Sequence, residues 1–94
     1  MQQLSCPRCS KEKVFEVPFF GKDERDKLVK LKIKSSILLV KELIQSFKLS
    51  HSTSKFIAAH INKTNGKCHR CNYSSLDGKN IICPKCKSLN FNWN

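Results

Sequence analysis

Two cysteine pairs, CHRC at residues 68–71 and CPKC at residues 83–86, decide the fold of the C-terminal part of the chain. Two residues between paired cysteines let a tight turn, called a knuckle below, direct both sulfurs at one ion. Two such turns complete a tetrahedral thiolate site of the kind that zinc favours. Disulfides are the alternative, but cytosolic thiols stay reduced and the N-terminus shows no apolar signal region. We therefore predict one metal site with four ligands, Cys68, Cys71, Cys83 and Cys86.

The residues that follow the first pair predict a β-hairpin. Asp77-Gly78 is a strong signal for a hairpin turn. Farther along, Leu89, Phe91 and Trp93 alternate with asparagines, which is the period of a short strand. We expect the two knuckles to lie at one end of the hairpin, with the final strand alongside.

Residues 66–94 resemble the zinc-ribbon family through these pairs. The resemblance implies a zinc ion bound by Cys68, Cys71, Cys83 and Cys86. It also implies a structural or binding module, as is common in transcription and translation proteins. The spacing and Tyr73 are also similar to those of rubredoxins, which hold iron. Rubredoxin knuckles usually carry glycine after the second cysteine, where the backbone favours a positive φ, whereas this chain has Asn72 and Lys87. Zinc is therefore the expected metal, and a rubredoxin-like iron electron carrier is the alternative.

A third pair, Cys6 and Cys9, has no matching pair within residues 10–67. Three arrangements stay open, and we favour those in which the pair binds metal. The pair can replace one of the C-terminal pairs, or it can stay outside any site, free or bound by a partner. It can also recruit two histidines into a second site, from among His51, His60 and His69.

Two segments before the middle of the chain favour strands. Residues 14–20 are rich in strand-forming residues, and residues 27–34 alternate apolar side chains with lysines. The second pattern predicts a half-buried strand with Lys30, Lys32 and Lys34 on its outer face. We expect the two segments to pair as a hairpin.

The period then changes to that of a helix. Apolar side chains at three- and four-residue spacing predict a helix over residues 37–48, capped by Ser35 or Ser36. A second short helix is predicted over residues 52–61. The predicted fold is therefore α+β, a small β-hairpin plus two short helices with a C-terminal zinc ribbon. Its predicted domains are 1–62, holding the N-terminal knuckle, hairpin and helical pair, and 63–94, the zinc ribbon.

The two helices also resemble known local motifs. They resemble a helix-turn-helix, although Lys48 stands where the turn usually has glycine and Ser54 stands at a position that is usually apolar. The recognition helix would then present Ser52, Lys55, Ala59 and Asn62. Residues 49–57 also resemble part of the C-terminal domain of the bacterial ribosomal stalk protein, where a lysine matching Lys55 lies on a surface that meets translation factors. We expect the two helices to pack on the hairpin as a core.

Charge indicates the class of partner. Eighteen Lys and Arg residues against seven Asp and Glu give a formal net charge of +11, and residues 62–94 hold six bases and one acid. Such a surface attracts nucleic-acid phosphates or acidic proteins. We expect a nucleic-acid-associated module, RNA or DNA, with contacts from Lys63, Lys67, Arg70, Lys79, Lys85, Lys87 and Trp93. The alternative is an adaptor that docks an acidic protein partner on Lys30, Lys32, Lys34 and the helices.

Several function classes are not expected. The longest aliphatic run covers residues 37–40, whereas a membrane span needs about 20 apolar residues. No set of side chains forms a catalytic constellation, and a four-cysteine metal site leaves no position for water. We therefore expect a cytoplasmic protein that is neither an enzyme nor a membrane protein.

Overall fold

The computed structural model describes residues 2–8, 10–64, 66–71 and 73–93, and for residues 10 and 11 the backbone alone. Over these ranges the chain forms two small antiparallel hairpins and three helices. The α+β class predicted from the sequence is confirmed. The N-terminal hairpin, however, is built from other residues than expected, and one predicted strand is a helix.

The N-terminal hairpin joins the start of the chain to the segment after the first cysteine pair. Strand β1, Gln2–Cys6, pairs with strand β2, Ser10–Val17, and the register shifts between Leu4 and Cys6. The shift lies next to Cys6, whose side chain is buried. The expected pairing of residues 14–20 with residues 27–34 is therefore wrong.

Residues 27–34 belong to helix α1, Lys22–Lys34, and the strand predicted there is wrong. The helix buries Leu28 and Val29, which are neighbours in sequence and would face opposite sides of a strand. Ile33, expected on the buried face of the strand, is 57% exposed. A strand period over eight residues is compatible with one face of a helix, and packing selects the helix.

Signals at both ends of α1 also favour the helix. Asp23 and Glu24 occupy its first turn, and the Glu24 carboxylate accepts the Gly21 N–H at 2.8 Å. Lys32 and Lys34 occupy its last turn. Acidic side chains near the N-terminus and basic ones near the C-terminus stabilise a helix through its dipole.

Two further helices confirm the predictions for the middle of the chain. Helix α2 spans Ser36–Phe47 and helix α3 spans His51–His60. Lys48 ends α2 in the left-handed conformation, with φ of 58°. The Ser50 hydroxyl then accepts the Thr53 N–H at 3.1 Å and caps α3.

The main core joins the helices to the end of the chain. Strand β4, Leu89–Phe91, pairs with strand β3, Asn80–Ile82, and is buried along its whole length. Ile61 forms a parallel bridge with Phe91, whose carbonyl accepts the Asn62 N–H at 3.0 Å. The last strand thus contacts α3 and belongs to the same buried cluster as apolar residues of α1 and α2. The domain boundary after residue 62 stays a prediction.

Aromatic side chains fill the layer under β4. Trp93 stacks on Phe91 with ring centroids 4.8 Å apart, and its ring lies 5.5 Å from that of Phe20. The indole N–H donates to the Asn80 carboxamide oxygen at 3.1 Å, so its polar end is also satisfied. Among the described residues, no helix combines the length and apolarity needed to cross a bilayer.

Candidate metal centre

The four cysteines of the two C-terminal pairs meet at one point. Their sulfurs all lie within 4.8 Å of one another. Cys68 Sγ is 3.7 Å from Cys86 Sγ, and Cys71 Sγ is 3.6 Å from Cys83 Sγ. Zinc–sulfur bonds of about 2.3 Å in a tetrahedron place sulfurs about 3.8 Å apart. The donor set therefore fits one tetrahedrally coordinated ion, and no other group of three or more potential ligands occurs in the described parts of the chain.

The two knuckles share one backbone pattern. The Cys68 N–H donates to the Tyr73 carbonyl at 2.8 Å, and the Cys83 N–H donates to the Ser88 carbonyl at 2.9 Å. Lys87, the residue after the second pair, has φ of 65°. It adopts the left-handed conformation for which glycine is usual, at a cost of about 1–2 kcal/mol for a residue with a Cβ. Asn72 follows the second cysteine of the first knuckle as Lys87 follows that of the second, and it lies outside the described residues.

Burial divides the ligands into two classes. Cys68 and Cys83, the first cysteine of each knuckle, are 1% and 0% exposed. Cys71 and Cys86, the second cysteines, are half-buried. A small cluster of Leu76, Tyr73 and Ile81 covers the sulfurs. The centre is therefore closed on one side and close to solvent on the other.

Backbone N–H groups prepare two sulfurs for a cation. Burial opposes ionisation of the Cys68 thiol, but hydrogen bonds from the N–H groups of Cys71 and Arg70, and from the side chains of Asn90 and Cys86, together lower its pKa to about 6. Burial also opposes ionisation of Cys83, where the Cys86 N–H helps to hold the pKa below its usual value. Burial, together with the neighbouring sulfurs, raises the pKa of Cys86 to about 12. A bound divalent ion would deprotonate such a thiol outright.

Asn90 on β4 orients the first knuckle, and the sequence analysis did not identify it. Its carboxamide N–H donates to Cys68 Sγ at 3.5 Å and to the Ser88 carbonyl at 3.0 Å. Its oxygen accepts from His69 twice, from the backbone N–H at 3.1 Å and from Nδ1 at 2.8 Å. Asn90 is fully buried, whereas the alternation of the last strand implied a polar outer face. The repeated asparagines of that strand were the available signal.

Cys6 lies beside this centre. Its sulfur accepts the Leu89 N–H at 3.3 Å and lies 3.8 Å from Ser88 Oγ. Arg8 also donates to the Cys86 carbonyl at 3.4 Å, so the start of the chain packs against the second C-terminal knuckle. The four-sulfur group found among the described residues consists of the two C-terminal pairs and does not include Cys6. Cys9 lies outside the described residues, and metal binding by this first pair stays a prediction.

The candidate histidines occupy three different environments. His60 is buried in the core, with Nδ1 2.6 Å from the Phe56 carbonyl. His69 is held by Asn90, and its ring lies 5.4 Å from that of His60. His51 is exposed at the start of α3. The prediction called for two of these histidines, and among the described residues no two of them form a possible metal-binding group with Cys6.

The structure separates the predicted nucleic-acid contacts into two groups. The six basic side chains are exposed, namely Lys63, Lys67, Arg70, Lys79, Lys85 and Lys87. Trp93 is only 8% exposed and belongs to the aromatic core. A contact between Trp93 and nucleic acid would need an exposed indole, so Trp93 is removed from the candidate interface.

The predicted lysine face is also divided by the helix. Lys30 and Lys34 line a surface groove together with Asp23 and Asp26. Lys32 points to another side of α1, where its ammonium donates to the Ala58 carbonyl at 2.6 Å. The three lysines therefore do not form the single basic face expected of a strand.

No protein-family model, curated protein sequence or solved structure matches this chain. The similarity to zinc ribbons consequently rests on the ligand spacing and on the geometry of the four sulfurs.

Proposed function

We propose that the protein is a non-enzymatic zinc-binding module whose basic C-terminal surface binds nucleic acid. The observation that carries the proposal is the four-sulfur centre, with sulfur pairs 3.6 and 3.7 Å apart. Zinc is the metal that favours four thiolates in a tetrahedron. Four sulfurs fill that coordination sphere, so the ion cross-links the two knuckles and activates no water. A cytoplasmic location belongs to the proposal because a reducing compartment keeps the thiols available.

The distribution of charge supports nucleic acid as the partner. Six exposed bases lie in residues 62–94, the segment that contains the four cysteines, and that segment holds a single acidic side chain, Asp77. Phosphates approaching this surface would meet little repulsion and would release counterions from the nucleic acid. Fixing the two knuckles with a metal also fixes the backbone that carries Arg70, Lys85 and Lys87.

An acidic protein partner is the second candidate, and a groove on the helices favours it. Ile37 is 74% exposed at the start of α2. The groove beside it is lined by Val40 and Ile44, and also by Lys41 and Lys55. An amphipathic acidic helix from a partner could contact both the apolar and the basic residues of this groove.

Metal analysis of the protein as purified tests the first half of the proposal. One zinc per chain and no colour are expected, whereas a red iron-loaded protein would support the rubredoxin-like carrier instead. Two zinc ions per chain would indicate that Cys6 and Cys9 hold a second site. Protein that contains no zinc and binds none when zinc is added would overturn the proposal.

Titration with nucleic acid tests the second half. Labelled single-stranded RNA, single-stranded DNA and duplex DNA would be followed by anisotropy at about 50 and 200 mM salt, a range over which several phosphate contacts cost orders of magnitude in affinity. A triple variant, Lys79→Gln with Lys85→Gln and Lys87→Gln, should lose at least tenfold in affinity.

The matched control removes the same charge from the helical part, with Lys22→Gln, Lys41→Gln and Lys48→Gln. These three lysines are also exposed. Equal losses of affinity in the two triple variants would show that binding depends on net charge alone and not on the C-terminal surface. Absence of binding at the lower salt would reject nucleic acid and direct the search to acidic peptides.

A further inference from the structure

A basic cavity lies where the helical part meets the first knuckle. Its volume is about 380 Å³, near the lower end of the roughly 300–1,000 Å³ typical of small-ligand sites. One wall comes from α1 and the end of α3, and the other comes from the segment that leads into the metal centre. The lining residues are Lys32, Ala59, Ile61, Lys63, Thr64, Lys67, Cys68 and His69.

The lining is cationic and contains no carboxylate. Three of its eight residues are lysines, and none is Asp or Glu. Lys32 is half-buried, and burial, followed by the charge of Lys63, lowers its pKa. Such an arrangement costs free energy unless an anion enters, because like charges repel and burial removes hydration.

The position of Lys32 is fixed by the fold. Its ammonium donates to the Ala58 carbonyl near the end of α3 at 2.6 Å. An ammonium has three N–H donors, so this bond orients the group and leaves donors for a ligand. Lys67 is covalently adjacent to Cys68, so the metal centre sets its position as well. The cavity therefore brings together lysines from α1 and from the C-terminal segment.

We propose that this cavity binds a phosphate group, supplied by the backbone of a nucleic acid. Lys32, Lys63 and Lys67 contact the phosphate oxygens, and the Thr64 hydroxyl lies in the same lining. The inference rests on the proposed nucleic-acid function and adds a residue to it, since Lys32 had been predicted to face a protein partner. It also anchors the nucleic acid at a defined place, which a scattered basic surface does not do.

A pair of variants on one helix tests the proposal. Lys32→Gln removes a charge from the cavity, whereas Lys30→Gln removes one from an exposed position of α1 outside it. With the oligonucleotide that binds best, Lys32→Gln should lower affinity about tenfold and reduce the salt slope by about one phosphate contact. Lys30→Gln should change affinity less than about twofold. Equal effects of the two substitutions would overturn the proposal.

A second variant separates binding from folding, because Lys32 also holds Ala58. Lys63 lines the same cavity from the other wall, and Lys63→Gln should lower affinity to a similar extent. Circular dichroism, thermal melting and zinc content would be measured for each variant. If Lys32→Gln alone loses affinity and also melts earlier, the role of Lys32 is structural and the proposal fails.

Inorganic phosphate distinguishes failure of this proposal from failure of the proposed function. In ¹⁵N NMR spectra of the zinc-loaded protein, added phosphate should shift the amides of Lys63, Thr64 and Lys67 in the wild type and not in Lys32→Gln. Phosphate shifts without nucleic-acid binding would reject the nucleic-acid function and make free phosphate the ligand. Nucleic-acid binding that is undiminished in both cavity variants would keep the function and reject the cavity.

Discussion

Two regions of this chain, the helical region (residues 22–60) and the knuckle region (residues 66–88), are stabilised by different interactions. In the described part of the chain, the helical region contributes to a core of fifteen buried residues, most of them aliphatic or aromatic, which also contains Leu89, Phe91 and Trp93. Around the four sulfurs, the buried cluster of described residues is small and consists of Cys68, Leu76 and Cys83. We therefore expect the first region to fold by hydrophobic packing and the second to depend on a bound metal. The comparison predicts that the two regions respond differently to the same perturbations.

Loss of the metal should have the largest effect, and it should be confined to the knuckles. Structural zinc contributes roughly 10–16 kcal/mol of apparent binding free energy in zinc-finger peptides, and a missing ligand forfeits much of it. In Cys83→Ser, we expect zinc binding to be lost and the NMR signals of residues 66–88 to collapse. Helical circular dichroism should largely remain.

The matched control is Cys6→Ser, which replaces another buried cysteine close to the centre. It should retain the zinc bound by the C-terminal pairs. If Cys83→Ser kept both its zinc and its spectrum, the division of the molecule into two differently stabilised regions would be wrong.

A cavity in the main core should produce the opposite pattern. Leu43 is completely buried on α2, and Leu43→Ala should lower the free energy of unfolding by about 2–5 kcal/mol. Zinc content should stay at one per chain below the melting temperature. Denaturant melts with parallel metal analysis would measure both, and loss of zinc at native helicity would contradict the prediction.

Asn90 lies on β4, and its side chain bonds to the first knuckle, so its removal should lower zinc affinity moderately. Residues that orient metal ligands typically change metal affinity 10–100-fold when replaced. We expect Asn90→Ala to lower zinc affinity by about that factor, measured by competition with a chelator, because it loses the donor to Cys68. Asn92→Ala is the control, since Asn92 accepts the Gly66 N–H at 2.6 Å and makes no described bond to a cysteine. Equal affinities of the two variants would exclude an orienting role for Asn90.

The smallest effects should come from the two lysines with positive φ, one in each region. Lys48 ends α2 with φ of 58°, and Lys87 follows the last ligand with φ of 65°. Glycine relieves the left-handed strain but gains freedom in the unfolded chain, so each Lys→Gly substitution should stabilise its own region by about 0.5–1 kcal/mol. Lys48→Gly should raise the melting temperature of the helices, and Lys87→Gly should raise zinc affinity. Destabilisation by either would show that the lysine side chain contributes more than its backbone strain costs.

The sequence predicted most securely those features that depend on neighbouring residues. The four cysteines of the candidate metal site were predicted from two short turns, because two residues between paired cysteines restrict the directions in which the sulfurs can point. Helices α2 and α3 follow from apolar side chains at helical spacing. The strand predicted at residues 27–34 failed because a short alternating segment satisfies both periods, and only the burial of Leu28 with Val29 chooses between them.

By itself, the sequence determined which four cysteines form the candidate metal site, the α+β class, two of the three helices and the basic character of the C-terminal segment. These properties depend on composition and on spacings of a few residues. The tertiary structure decided that α1 is a helix, that Trp93 is buried, that Asn90 bonds to Cys68, and that Lys32 shares a cavity with Lys63 and Lys67. Each of these depends on contacts between distant parts of the chain, and their free energy is gained only when the core brings those parts together.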